Sequence, residues 1–165
     1  MKRKTKDVIL AGVLLAFAVI VPYIFHTSGI SGAVFLPMHI PVLIGGFFLS
    51  PLTAGLLGAL SPVINSLISG MPVMYPIGVI MVVELAVYGI SVSLLSKRAG
   101  IYIALVNAMV LGRLAAALTV YGLQSFFGLK LNYLVYIQGA VVSGIPGIAI
   151  QILLIPILVK VLRKI

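Results

Sequence analysis

Long apolar stretches fill this chain, and short groups of Gly, Pro, Ser or charged residues break them at intervals. Six stretches emerge, at about residues 8–25, 33–49, 52–69, 76–96, 101–127 and 133–162. Each reaches or approaches the roughly 20 apolar residues an α-helix needs to cross a bilayer. The pattern predicts an all-α integral membrane protein, a compact bundle of six transmembrane helices forming one membrane domain over residues 1–165. The last two stretches are long enough to tilt or to extend past the bilayer. Near the N-terminus, basic residues, an apolar run and Ala16-Phe17-Ala18 resemble a secretory signal with its cleavage site. The apolar run continues past Ala18 to Phe25, which predicts a retained first helix instead.

Composition sharpens this picture. Hydrophobic residues make up 62% of the chain, more than a soluble domain can cover. Of eleven Lys and Arg residues, nine lie in three clusters, Lys2-Arg3-Lys4-Lys6, Lys97-Arg98 and Lys160-Arg163-Lys164. Six spans with a cytoplasmic N-terminus put all nine on the inner side and only Lys130 outside, so both termini are expected to be cytoplasmic. The net charge of +9 then reads as this asymmetry plus contact with anionic membrane lipid, not as nucleic-acid binding. The absence of cysteine excludes disulfides, thiolate zinc sites and thiol chemistry. On the expected outer side the connections are varied: residues 26–32 are polar and flexible, residues 70–76 stiff and apolar, and residues 128–132 short. Ligand entry from that side and ordinary linkage are both open readings.

The charged residues left inside the apolar stretches carry the chemistry. Glu84 falls roughly 12 Å into the fourth span, and Arg113 roughly 18 Å into the antiparallel fifth, so both come near mid-membrane. A charge there costs about 2.5–3.5 kcal/mol and is paired or faces a wet cavity. Arg113 suits a carboxylate or phosphate, because a guanidinium binds two oxygens at once. Glu84 suits an amine or hydroxyl. A Glu84–Arg113 bridge that only fixes helix packing is the competing reading.

Helical spacing extends the polar face. Arg113, Ala117, Tyr121 and Gln124 follow one another at steps of four, four and three. Glu84, Tyr88 and Ser91 do the same on the fourth span, and Tyr136, Ala140, Ser143 and Gly147 on the sixth. These stripes point to a central pocket lined by Glu84, Arg113, Tyr88, Tyr121, Gln124, Tyr136 and Ser143, or to helix–helix contacts through small and hydroxyl residues. His39 lies in Leu36-Pro37-Met38-His39-Ile40-Pro41, where two prolines loosen the second helix and turn His39 toward the pocket. No cofactor is called for, and with no cysteine and no second histidine at helical spacing a metal site is not expected. Asn65 and Asn107 read as interhelical hydrogen-bond formers. Gly12 and Ala16, four apart, permit close approach of another helix.

Several chemistries are missing. The chain has no G-x-x-x-x-G-K-[ST] and no H-E-x-x-H. Gly29-Ile30-Ser31-Gly32 matches the G-x-S-G string of intramembrane serine proteases, but it lies in a connection rather than at a helix start within the membrane.

The six-span layout, the basic tail leading into Leu10-Ala11-Gly12-Val13-Leu14-Leu15-Ala16, and the run from Ile40-Pro41-Val42-Leu43-Ile44-Gly45-Gly46 through Ser50-Pro51 to Gly55 look like the substrate-binding S component of energy-coupling factor (ECF) transporters. The resemblance covers nearly the whole chain. It implies a non-enzymatic subunit in a bacterial or archaeal cell membrane that captures a water-soluble vitamin from outside. It also implies docking, through Gly12 and Ala16 in place of the family's A-x-x-x-A pair, onto a transmembrane coupling subunit that carries two cytoplasmic ATPases. Pantothenate-type members share an H-I-P-V-like string, matched here by His39-Ile40-Pro41-Val42, so pantothenate is the first expected substrate. Riboflavin-type members tend to carry Asp where this chain has His39. Pyridoxine and a thiamin precursor follow, with Glu84 as their contact. Two readings of other classes stay open: an autonomous permease or channel, which needs a continuous polar path, and a structural subunit, which needs no cavity beside Glu84 and Arg113.

Overall fold

A computed structural model describes residues 3–29 and 32–164. Lys2 of the first basic cluster, and Ile30 and Ser31 of the G-x-S-G string, lie outside them. Among the described residues every regular element is helical: α1 (Arg3–Thr27), α2 (Gly32–Phe35), α3 (His39–Phe48), α4 (Pro51–Ser69), a π-helical turn (Met74–Gly78) running into α5 (Val79–Leu95), α6 (Ile101–Phe127) and α7 (Tyr133–Leu162). Five of the helical stretches are long and apolar enough to cross a membrane. The prolines inside α1, α4 and α7 are tolerated, as neighbouring helices in a bundle re-satisfy the freed backbone groups.

The second apolar stretch departs from the expected single helix. It is split into the one-turn α2 and the ten-residue α3, with Leu36, Pro37 and Met38 between them. Proline disfavours helical geometry in the residue before it, and Leu36 takes a positive φ of 50°. Pro41, by contrast, sits in the first turn of α3, where its missing N–H costs nothing. The result is a helix about 15 Å long, half the apolar thickness of a bilayer, with His39 as its first residue.

This short α3 is buried along most of its length and crosses α5, the central helix. α4 and α6 flank α5 on either side, α1 packs on α4 and α3, and α7 closes against α6 and α2. The α4–α5 seam is tight because glycines remove the side chains that would separate the backbones. A Cβ at Gly58 would strike the Leu85 carbonyl, and one at Gly89 the Ala54 carbonyl. Across the bundle, Ser93 Oγ donates to the Leu49 carbonyl (2.8 Å) and Asn65 Nδ2 to the Ala18 carbonyl (2.8 Å). Asn107 makes no such link and faces outward on α6.

The two ends of the bundle differ. At the basic end, the Asp7 carboxylate accepts the Ser50 N–H (3.1 Å) beside the N-terminus of α4, and the Arg163 guanidinium lies 6.0 Å from the Phe47 ring centre. Above it a core of Leu43, Leu85, Val92, Leu105 and Ile155 is sealed. At the opposite, loop end the helices part around a cavity. The outer face of α1, with Val8, Val13, Phe17, Ile20 and Ile24, is exposed, as suits a chain solvated by lipid. Gly12 and Ala16 lie on that exposed face.

Candidate functional site

The cavity at the loop end has a volume of about 820 Å³, within the range of small-molecule sites. Its walls are apolar: Met38 beside the α2–α3 break, Met71, Pro72 and Val73 from the connection after α4, Ile77 and Met81 leading into α5, and Leu131 and Val135 at the start of α7. His26, Gly29 and Gly32 line it from the end of α1 and the start of α2. Ile77 in the π-helical turn, followed by Met81 and Glu84 on α5, carries the wall down to the polar floor.

That floor brings together side chains far apart in sequence. Glu84, only 1% exposed, places Oε1 2.7 Å from Nη1 of Arg113 on α6 and 3.8 Å from Nε2 of His39 on α3. The approach to Arg113 is an ion-pair contact rather than an aligned hydrogen bond. Arg113 Nε and Nη2 are buried with no hydrogen-bond partner, and so are both ring nitrogens of His39. Nε and Nη2 form one edge of the guanidinium, the fork that matches two oxygens of a carboxylate. Glu84 therefore holds the arginine by one nitrogen and leaves an edge uncommitted. Leaving buried donors unpaired costs about 1–3 kcal/mol each, which a ligand oxygen would relieve.

Of the residues expected from sequence, His39, Glu84, Arg113, Tyr136 and Ser143 line the cavity. The Ser143 hydroxyl donates to the Gly139 carbonyl of its own helix, so it faces the cavity as an acceptor. Tyr88 lies beneath the floor, buried one turn below Glu84, with its ring edge-on to His39 at 5.3 Å and against Gly112. Tyr121 and Gln124 are not brought into the site. Two steps of four carry Tyr121 about 80° around the helix from Arg113. It is 56% exposed and meets the Tyr133 ring edge-on. Gln124 lies about 16 Å beyond Arg113 along α6, at its exposed end.

Sequence reasoning passed over the methionine wall and His26, and noted Gln151 only as a polar residue in the inner half of its helix. The wall had a visible signal, since Met38 and Met81 sit near the starts of their stretches and Met71 just past the end of the antiparallel one between them. The contact made by Gln151 had none. It is buried on α7, and its Nε2 reaches the carbonyl of Leu36 at 3.4 Å, pinning the α2–α3 break. α2 can lie close to α7 because Gly147 has no side chain: a Cβ there would stand 2.7 Å from the Val34 and Phe35 carbonyl oxygens. Gly144 likewise makes room for Leu36 and Arg113. Among the described residues no group of three His, Cys, Asp or Glu could hold a metal ion.

Comparison with known proteins gives one match. The family model described as "ECF transporter, substrate-specific component" matches residues 6–159. No curated protein and no solved structure matches the chain.

Proposed function

Because the chain belongs to the family of ECF transporter substrate-specific components, we propose that it captures a water-soluble vitamin or related micronutrient in the loop-end cavity, pantothenate being the first candidate. Family membership makes it a multi-pass membrane subunit of an importer, associated with the ECF membrane and ATPase module rather than an enzyme in its own right. The observation that carries the substrate reading is the pair of buried, unpaired donors, Nε and Nη2, on Arg113, a residue that lines the cavity. A carboxylate fits that edge. Glu84 already faces a guanidinium, which leaves no free acid for an amine and sets the pyridoxine and thiamin-precursor readings behind.

Capture, not conduction, is the reading the lower half supports. Below Tyr88 the bundle is a packed apolar core, and of the buried polar residues there, Ser91, Ser93 and Gln151, the last two are hydrogen-bonded to backbone. A permease needs a continuous polar path, and a purely structural ion pair needs no cavity beside it. In this reading both termini are cytoplasmic and the cavity opens outside a bacterial or archaeal cell. Gly12 and Ala16 on exposed α1 meet the transmembrane coupling subunit, whose two ATPases hydrolyse ATP.

Thermal unfolding of the detergent-purified chain against a panel of B vitamins tests the proposal. A ligand at a hundredfold excess over its Kd stabilises the folded state by about 2.7 kcal/mol. A large shift with pantothenate alone is the expected result. A shift with a different vitamin reassigns the substrate, and no shift across the panel overturns the capture reading.

A further inference from the structure

The cavity floor is balanced before any ligand arrives. Glu84 and Arg113 cancel one another at 2.7 Å. A carboxylate entering on the free edge of Arg113 adds one negative charge that nothing in that pair offsets. At membrane depth and away from water, such an excess charge is costly. A neighbouring group that can gain a proton would remove it.

The groups facing His39 can be taken element by element. α5 brings Glu84 and Tyr88, α6 brings Arg113, and α7 brings Tyr136. α1 brings His26, exposed on the cavity's rim. α2 and α4 carry no titratable side chain. Tyr88 and Tyr136 can only lose a proton, Arg113 already holds its own, and the Glu84 carboxylate is engaged by the Arg113 guanidinium at 2.7 Å. His26 is exposed at the rim, where solvent reaches it without a ligand. His39 is different: it is buried, lines the cavity, lies 3.8 Å from Glu84 Oε1, and has no hydrogen-bond partner on either ring nitrogen. Imidazole is the side chain that changes charge near neutral pH.

We propose that the site takes a monoanionic acid together with one proton, and that His39 is the residue that receives it. This rests on the capture reading above and adds to it a rule of selection by charge. Glu84, Arg113, protonated His39 and one carboxylate sum to zero. A dianion leaves an excess negative charge, and a neutral analogue needs no proton at all. The proton moves from solvent to an imidazole nitrogen as the acid binds, and no covalent bond changes.

The test is titration calorimetry on the full-length purified chain with pantothenate, its neutral alcohol pantothenol, and the acids biotin, lipoate and nicotinate. Runs in two buffers of different ionisation enthalpy count the protons taken up. Expected is an acid whose binding takes up protons, rising to about one per ligand within a window of pH, its Kd weakening about tenfold per pH unit inside that window. In His39→Gln the uptake should vanish and the Kd become independent of pH. A melting temperature confirms that each variant is folded, and His39→Asn replaces His39→Gln if the latter is not. An acid that binds without proton uptake, or uptake that survives in His39→Gln, overturns the assignment and leaves capture standing. Binding of pantothenol but no acid does the same. If none of these compounds binds and the vitamin panel is also silent, both proposals fall.

Discussion

The α4–α5 seam and the cavity are built from the same small residues and use them in opposite ways. In the seam, Gly58 and Gly89 bring two backbones so close that a single Cβ would strike a carbonyl. Along the cavity, Gly139 has open space where its side chain would be, and Ala140 and Ser143 continue the same lining. The seam joins α5 to its neighbour and leaves sealed core around it, whereas the cavity side of α7 is left largely uncovered. A small residue in a membrane helix therefore signals either tight contact or room for a ligand. Only the partner across from it decides which.

Substitutions that add one side chain to each region break the comparison most sharply. Gly58→Val should destabilise the protein by about 3 kcal/mol, the upper range for overpacking, because backbone cannot move aside as a side chain can. Gly139→Ala should stay within about 0.5 kcal/mol of the parent. Thermal melts in detergent read both, and equal losses would mean that the cavity wall is as closely packed as the seam.

A smaller effect on folding and a larger one on ligand is expected at the floor. Arg113→Ala should weaken capture by about 2–5 kcal/mol, as for truncating one member of a buried charge pair that meets a ligand. It also strands Glu84, so the paired change Glu84→Gln with Arg113→Gln separates the roles. That double variant should recover the melting temperature while capture stays lost. Recovery of both would make the pair a packing device.

The least effect should come from the upper end of α6. Tyr121→Phe and Gln124→Ala should leave stability within about 0.5 kcal/mol and the Kd unchanged within twofold, since both residues are exposed and outside the cavity. A loss of binding in either would extend the site beyond its present walls.

The elements that could be read from sequence are those whose limits are chemical. Gly100 and Gly128 bracket α6, and the Asn132 side chain caps α7 by accepting the Leu134 N–H at 2.9 Å. The meeting of Glu84 with Arg113 followed from depth alone, as two isolated charges at matching heights on antiparallel helices. The break at Leu36 was harder to see. Pro37 is plain in the sequence, but the apolar run continues across it, and hydropathy does not register a change of backbone direction. Tyr121 illustrates the limit of counting by fours: each step overshoots the 3.6-residue turn by about a tenth of a turn, and the error adds. Contacts such as Gln151 to Leu36 depend on which helices become neighbours, which no local pattern encodes.

Asp7 was absent from every argument about chemistry, yet it ties the exposed first helix to the start of α4 through the Ser50 N–H. α4 is in turn locked to α5 along the glycine seam. The chain is thus built like a tool with its handle riveted to the head: a push on α1 is passed through Asp7 to α4, and through the seam to α5, the helix that carries Glu84.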